Sequence, residues 1–364
     1  MFTPVDSAHM ARALQLAARG RYTAHPNPMV GCVIARDDEV VGEGWHEAAG
    51  NAHAEINALR AAGDRASGAT AYVTLEPCAH HGKTPPCADA LVEAGVATVV
   101  AAMQDPFEEV AGRGLARLED AGIATAVGLM EATAAELNRG FVCRVTAGRP
   151  FVSLKIAASI DGAIAMESGE SQWITGPEAR NDVQRLRARS GAIMTGIGTV
   201  LADDPSLNVR SPDVDTHGRQ PLRVILDSKL RMPPDARMLT LPGETLVCCG
   251  PGQDGTALRE AGTEVREFNA DDDQVDAREV LAELAERGVN DVLVEAGPGI
   301  AGYLLEKDCV DELVIYQSPH IMGSGTRGMF RTPSWTALAD RRELDIVDVR
   351  RIANDTRITA RIKS

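Results

Sequence analysis

The chain has 364 residues, more than the roughly 250–300 at which a single hydrophobic core stops growing, so two domains are expected. Its 37 basic and 52 acidic residues give a net charge of −15, which argues against nucleic-acid binding because no large basic patch offsets it. No apolar run reaches the about 18 residues that span a membrane, and seven irregularly spaced cysteines predict no disulfide framework, so a cytoplasmic location is expected.

The amino-terminal segment predicts an amphipathic helix. Asp6 or Ser7 is expected to cap its start, and Gly20 is expected to stop it. The segment lacks the basic start and the apolar block of a secretion signal, which agrees with a cytoplasmic location.

The following residues alternate between strand-like and helix-like segments, which predicts a layered α/β domain. Thr146–Pro150 interrupts the alternation and is expected to be a boundary, with one domain over residues 1–147 and another over 148–364. The predicted elements before the boundary are the strands Val30–Ala35, Ala71–Leu75 and Ala97–Met103 and the helices His53–Ala62, Ala88–Ala94 and Gly114–Ala121.

A second α/β series follows the boundary. Ser211–Gln220 is polar and is expected to be an exposed loop. The predicted elements are the strands Phe151–Ala157, Ala192–Thr195, Leu222–Leu226, Thr245–Cys249, Asp291–Glu295 and Glu312–Gln317 and the helices Pro177–Arg189 and Asp276–Arg287.

Four residues of the first domain have the pattern of a catalytic zinc site. His53, Cys78 and Cys87 supply one imidazole and two thiolates, which leaves the fourth tetrahedral position of zinc open for water. Zinc lowers the pKa of such a water towards about 7. Glu55 can carry the proton from that water to a ring nitrogen and a leaving ammonia. The order His-x-Glu, Pro-Cys, Cys is that of the zinc nucleobase deaminases.

The position of this group on the predicted elements supports the zinc hypothesis. Residues two apart point about 200° apart on a regular helix, so His53 and Glu55 converge only at a helix start. A His-x-Glu alone is common by chance, and it is the full set that indicates function. Eight residues separate the two cysteines instead of the usual two, and this intervening segment, Ala79–Pro86, could form a positively charged lip for a substrate.

The segment TLEPCAHHGKTPPC over 74–87 closely resembles the deaminase domain of the bifunctional riboflavin-biosynthesis deaminase/reductase family, as do PNPMVG over 26–31 and QDP over 104–106. The resemblance implies a cytidine-deaminase-like three-layer α/β/α domain and a diaminopyrimidinone substrate that carries phosphoribosylamine. It also implies that Asn27 and His46 contact the pyrimidine and that His80 and Lys83 bind the phosphate. Asn27 could instead be a turn residue, and His46 a surface histidine at a strand end.

A literal G-x-G-x-x-G lies late in the second domain, over Gly297–Gly302, after a predicted strand and before helix-like Tyr303–Glu306. Glycines let a backbone approach phosphates, and a helix amino terminus supplies N–H donors. The match lacks the acidic residue and the strand arrangement of a Rossmann unit, so a phosphate-binding loop in another α/β fold is favoured over a Rossmann fold.

SLKIAASIDG over 153–162, GESQWIT over 169–175, TVLADDP over 199–205 and VEAGP over 294–298 resemble the reductase domain of the same family. The resemblance implies a dihydrofolate-reductase-like α/β domain that binds NADPH. The residues that it implies for NADPH are Ala157, Trp173, Thr199, Asp203, Ser228, Gly297, Pro298, Gly299, Ile300, Ala301, Gly302 and Tyr303, and those for the ribose phosphate substrate are Ser171, Arg187, Leu207, Arg210 and Glu295.

Simpler roles stay open for several of these residues. Trp173 could be a core residue, Asp203 could cap a turn, and Arg187 and Arg210 could be exposed arginines. Together the two resemblances imply zinc-dependent deamination of the pyrimidinone followed by NADPH reduction of the ribosyl group to a ribityl chain. The expected partners are this small-molecule substrate and further copies of the chain, without nucleic acid or membrane. The rival hypotheses are a tRNA-editing type of deaminase and a zinc-stabilised binding protein without chemistry.

Overall fold

A computed structural model describes residues 2–79, 86–107, 110–271 and 274–363. The chain divides into two compact units, Met1–Gly148 and Arg149–Ser364. No helix in the described ranges is both long and apolar enough to cross a membrane.

The first unit is built on a five-stranded sheet. Its strand order is β2-β1-β3-β4-β5, with β1 antiparallel to both neighbours and β3, β4 and β5 parallel. The strands are β1 (Gly31–Arg36), β2 (Glu39–Trp45), β3 (Thr70–Val73), β4 (Thr98–Ala101) and β5 (Ala124–Val127), and the helices are α1 (Pro4–Ala17), α2 (Ala54–Ala62), α3 (Cys87–Glu93), α4 (Arg113–Asp120), α5 (Glu131–Leu137) and α6 (Arg139–Ala147).

Helices cover both faces of this sheet because its strands are apolar on both sides. In β1, Ile34 packs on the face covered by α2, α3 and α4, whereas Val33 packs on the face covered by α1, α5 and α6. The predicted cytidine-deaminase-like three-layer α/β/α fold is therefore confirmed.

The second unit contains a nine-stranded mixed sheet of order β11-β10-β9-β8-β14-β6-β15-β18-β17. Neighbouring strands from β11 to β15 are parallel, and β18 and β17 extend the sheet in antiparallel fashion. Its strands are β6 (Phe151–Ser159), β8 (Ala192–Gly196), β9 (Leu222–Leu226), β10 (Thr245–Cys249), β11 (Glu264–Glu267), β14 (Asp291–Glu295), β15 (Glu312–Ser318), β17 (Leu344–Ile352) and β18 (Asp355–Ile362).

Two short ribbons and five α-helices complete the described part of the second unit. The core on one sheet face packs against α10 and α11, and two further clusters on the other face include α8, α9 and α7. The ribbons pair β7 (Ala163–Ala165) with β16 (Arg327–Gly328) and β12 (Ala270–Asp271) with β13 (Gln274–Val275), and the helices are α7 (Pro177–Arg189), α8 (Ile197–Asp203), α9 (Thr256–Glu260), α10 (Ala277–Glu286) and α11 (Pro298–Glu306).

Several predicted boundaries are wrong for identifiable reasons. The N-cap of α1 is Thr3, neither Asp6 nor Ser7, because the Thr3 hydroxyl accepts the Asp6 N–H while the Asp6 carboxylate accepts the Thr3 N–H. The helix ends at Ala17, and a 3₁₀ turn continues to Gly20. The predicted boundary segment is also too long, since α6 runs through Ala147 and ends at Gly148 in the left-handed conformation.

The polar segment Ser211–Gln220 has no regular secondary structure, as predicted. It is not uniformly exposed, however, because Val214 and Thr216 are buried.

Candidate active sites

Three elements of the first unit converge to bring the predicted metal ligands together. His53 caps α2 with an extended backbone (φ −70°, ψ 163°), Cys87 is the first residue of α3, and Cys78 lies between β3 and α3. Because His53 precedes the helix, Glu55 in the first turn can face the same point. The predicted convergence at a helix start is confirmed.

The distances between these side chains fit a tetrahedral nitrogen and sulfur site. His53 Nδ1 lies 3.2 Å from Cys87 Sγ and 3.7 Å from Cys78 Sγ. All three ligand atoms lie within 4.8 Å of one another. The Cys87 thiol donates to Cys78 and lowers the pKa of Cys78 to about 4. The same bond raises the pKa of Cys87. Helix α3 starts beside this pair, and its first N–H donates to Cys78 Sγ over 3.3 Å.

Glu55 is 3% exposed and lines the same cavity as His53 and Cys78. Burial raises its pKa to about 7. Its Oε2 has no hydrogen-bond partner among the described residues. A buried carboxylate oxygen without a partner has lost its hydration without compensation. The position of Glu55 Oε2 beside one imidazole and two thiol groups therefore fits a site that holds a metal ion and a water molecule.

The cavity has a volume of about 490 Å³ and contains both residues that were expected to contact a pyrimidine. His46 Nδ1 donates to Ala52 O over 3.2 Å, so His46 Nε2 accepts from Asn27 Nδ2 over 3.0 Å. Burial lowers the pKa of His46. His46 is 3% exposed, so the alternative of a surface histidine is wrong. His80 and Lys83 lie outside the described residues.

A buried carboxylate that the sequence analysis did not single out fixes one wall of this cavity. Glu76 Oε2 accepts the N–H groups of Asp105 and Gly112 over 3.1 and 3.0 Å. Its Oε1 accepts those of Gly114 and Leu115 over 2.8 and 3.4 Å. Glu76 therefore holds the segment that contributes Asp105, and it does so next to the Pro77–Cys78 step. The sequence signal for this role was that Glu76 is the only charged residue in the segment TLEPC over 74–78.

In the second unit, the predicted residues gather at the carboxyl edge of the parallel strands, where open α/β sheets bind ligands. Thr199 and Asp203 lie on α8 after β8, Ser228 follows β9, and Gly297 follows β14. Ala157 lies near the end of β6 and is half-buried.

One of these residues, Asp203, accepts a hydrogen bond from the loop over 169–175, which also contains the predicted residues Ser171 and Trp173. Gln172 Nε2 donates to Asp203 Oδ1 over 3.4 Å. Trp173 is 67% exposed and has the Arg180 guanidinium 4.5 Å above its ring, so the alternative of a core tryptophan is wrong. Ser171 in the same loop is half-buried. The Ser228 hydroxyl accepts the Val275 N–H over 3.0 Å.

Helix α11 begins at Pro298, five residues earlier than predicted, because proline is well suited to the first turn of a helix. The glycine motif is therefore the helix start itself. A Cβ on Gly297 or Gly299 would meet no heavy atom within 4 Å, which leaves this end open to a ligand. A Cβ on Gly302 would lie 1.8 Å from Arg331 O, so this glycine serves packing. Ala301 and Tyr303 are buried in the core, and Ile300 is half-buried against it.

The predicted substrate residues surround a buried ion pair. Arg187 Nε and Nη2 donate to the two oxygens of Glu295 over 2.6 and 3.0 Å, and both side chains are at least 88% buried. Lys155 Nζ lies 3.9 Å from Glu295 Oε2. Burial alone would raise the pKa of Glu295, but the charges of Arg187 and Lys155 lower it to about 2. The alternative of an exposed Arg187 is wrong.

Arg210 is exposed, whereas the side chain of Leu207 is buried. The Arg210 main chain is anchored by Gln184, its Nη1 donates to Asn208 Oδ1 over 3.3 Å, and the residue is exposed. The Leu207 side chain is buried in the core, so a contact to a ligand would come from its main chain.

Lys155 was not singled out in the sequence analysis. It pairs in register with Glu295 on adjacent parallel strands. A charge within the apolar strand β6 was the available signal, because lysine is almost never buried unless it is paired.

Comparison with known proteins places both units in one family. Residues 3–103 match the cytidine and deoxycytidylate deaminase zinc-binding region, and residues 150–358 match the RibD C-terminal domain. The chain is 49% identical over 361 residues to the riboflavin biosynthesis protein RibD of Escherichia coli, covering 96% of this chain and 97% of that relative. The chain belongs to the RibD family. It therefore has the deaminase and the reductase domain of a bifunctional riboflavin-biosynthesis enzyme, as the resemblance implied.

Solved RibD structures agree with this assignment. One form of Acinetobacter baumannii RibD superimposes with a TM-score of 0.93 at 44% identity and covers 99% of each chain. A diaminohydroxyphosphoribosylaminopyrimidine deaminase/5-amino-6-(5-phosphoribosylamino)uracil reductase from Thermotoga maritima superimposes with a TM-score of 0.86 at 32% identity, again over 99% of each chain. The fold predicted for both domains is thereby confirmed.

Proposed function

We propose that the first unit removes the 2-amino group of a diaminopyrimidinone that carries phosphoribosylamine and releases it as ammonia. The group of His53, Cys78 and Cys87 beside the unpartnered Glu55 oxygen is the observation that carries this proposal. The Thermotoga maritima relative bears the name of a deaminase and reductase for such compounds. The cavity of about 490 Å³ accommodates a ring of this size.

Each residue of this site has a separate task in the proposed reaction. His53, Cys78 and Cys87 would hold zinc, which when bound would act as a Lewis acid and make a water molecule nucleophilic near neutral pH. Glu55 takes a proton from the attacking water and returns it to the ring nitrogen and then to the leaving amino group. Asn27 and His46 orient the pyrimidine through their mutually fixed polar atoms. His80 and Lys83 are proposed to bind the substrate phosphate.

We propose that the second unit reduces the ribosyl group of the deaminated product to a ribityl chain. Bound NADPH would supply the hydride for the reduction at the anomeric carbon. The open amino terminus of α11 at Gly297 and Gly299 suits the cofactor phosphates. Ala157, Trp173, Thr199, Asp203 and Ser228 would hold the rest of the cofactor. Ser171, Leu207, Arg210 and the Arg187–Glu295 pair would position the ribose phosphate.

The Glu55→Gln variant tests the deaminase proposal. It should retain about one zinc per chain, since no ligand is changed, and it should lose about 10²–10⁴-fold in the rate of ammonia release without proton transfer. The matched control, Glu93→Gln, removes an exposed carboxylate from α3 and should leave the rate unchanged. Cys87→Ala should instead lose the metal. Near-normal ammonia release by Glu55→Gln would contradict the proposed role.

We also propose that the chain forms a homo-oligomer. Strand β17 is the last strand of its sheet and exposes Ile346, Val347 and Val349, which are 51–66% accessible. An exposed apolar edge strand is a surface on which a second chain can pair. Sedimentation equilibrium should give a mass above that of one chain, and Ile346→Asp should shift it towards one chain. A monomeric wild type would contradict this proposal.

A further inference from the structure

An arginine from the helical layer of α1, α5 and α6 lies on the wall of the deaminase cavity. Arg144 in α6 lines the cavity together with Phe141 and Val145 of the same helix. Helix α6 packs on the sheet face opposite to α2 and α3, which supply His53 and Cys87. The cavity is thus bounded by both layers. Arg144 therefore belongs to a different part of its wall from the metal ligands.

The charges on the rest of that wall make Arg144 distinctive. Among the described residues that line the cavity, Arg144 is the only arginine or lysine. The other ordinarily charged groups, apart from two histidines, are the carboxylates of Glu55, Glu76 and Asp105. Glu76 is already bonded by four main-chain N–H groups. An anionic part of a ligand in this cavity is therefore attracted to Arg144 and repelled by the acidic residues.

The surroundings of Arg144 also favour an anionic partner. The guanidinium lies 5.7 Å from the centre of the Phe141 ring and is half-buried. Burial lowers the pKa of Arg144. A guanidinium can bind a phosphate through two parallel hydrogen bonds.

We infer that Arg144, in addition to His80 and Lys83 proposed above, binds the phosphate of the ribosylated pyrimidine while the ring is at the metal ligands, and that it selects for phosphorylated substrates. This inference rests on the proposed deaminase function. A merely structural role is the alternative. Arg144 lies in the last turn of α6, where a cation interacts favourably with the helix dipole. That role would affect stability but would not distinguish between substrates with and without phosphate.

The test compares Arg144→Gln with wild type in the zinc-loaded full chain, without NADPH, on the phosphorylated pyrimidine and on its dephosphorylated riboside. Loss of a charge-assisted bond to phosphate should raise KM for the phosphorylated compound about 10–100-fold. The value of kcat should change less than about threefold, and KM for the riboside should not change. The matched control is Arg60→Gln, which removes an exposed arginine from the last turn of α2, outside the cavity.

Binding measured without turnover separates this inference from the proposed function. In the Glu55→Gln chain, calorimetry should show that adding Arg144→Gln weakens binding of the phosphorylated pyrimidine at one site by a similar factor. If the wild type releases no ammonia, the proposed function fails, and the calorimetric comparison still decides the role of Arg144. Equal affinities with and without Arg144, or equal losses for both substrates, would overturn the inference. Arg144→Lys should recover part of the discrimination.

Discussion

At the scale of single residues, the side chains of the two sites differ in how far along the chain their partners lie. His53 and Glu55 could be placed together from the sequence because residues two apart converge only where a helix begins. Glu76 and Lys155 could not, because their partners come from distant segments. Glu76 meets main-chain N–H groups 29–39 residues away, and Lys155 meets Glu295 only through pairing of parallel strands. A single sequence contains no fixed spacing from which contacts between such distant residues could be predicted.

The Arg187–Glu295 pair predicts how stability depends on pH. The pKa of Glu295 is lowered to about 2 in the folded chain, against an unfolded value of about 4.3. The unfolded chain therefore binds the proton first as the pH falls, and stabilisation by the pair is present above about pH 5 and is lost towards pH 2. Urea unfolding should show that the destabilisation caused by Glu295→Gln shrinks across this range.

The control for that series is Glu260→Gln, which removes an exposed carboxylate from α9. Its free energy of unfolding should run parallel to that of the wild type. A Glu295→Gln deficit that stays constant from pH 6 to pH 3 would contradict the account of this ion pair.

At the scale of elements, both ends of the buried parallel strands were predicted to within two residues, whereas the edge strands were missed. The central strands are continuously apolar and differ from their flanks, as in β8 and β10. Strands β2, β5 and β17 carry polar or exposed residues and give no comparable signal. The start of α11 was placed too late because its glycines were interpreted as a loop, although proline at a first helical position indicates the opposite.

The two kinds of glycine at the start of α11 can be separated by substitution. Gly302→Ala should lower stability by about 1–3 kcal/mol, because its Cβ would collide with the Arg331 carbonyl oxygen. Gly299→Ala places a methyl group in open space and should keep the melting temperature. It should nevertheless raise KM for NADPH several-fold if the main chain approaches the cofactor there. Thermal unfolding and NADPH kinetics on both variants check this. A stable Gly302→Ala variant, or a Gly299→Ala variant with unchanged KM, would contradict the assignment.

At the scale of the whole molecule, length alone predicted two domains, and the motifs predicted which chemistry belongs to each. The metal ligands and Glu55 all lie in the first unit, and the glycine helix start and the Arg187–Glu295 pair lie in the second. The acidic net charge of −15 is compatible with an anionic substrate because a few cations at each site suffice. These are Arg144 and the proposed Lys83 in one unit and Lys155, Arg187 and Arg210 in the other.

The most direct test of the two-step account is product analysis with the phosphoribosylamino diaminopyrimidinone. Without NADPH, the zinc-loaded chain should release one ammonia per substrate and accumulate the ribosylamino uracil, and with NADPH it should form the ribityl product. Zinc chelation should stop ammonia release while leaving NADPH oxidation with added uracil intermediate. Arg210→Ala should do the reverse, weakening reduction by about 1.5–3 kcal/mol and sparing deamination. If Arg210→Ala abolished ammonia release while chelation abolished NADPH oxidation, the two steps would not belong to separate units and the account would be wrong.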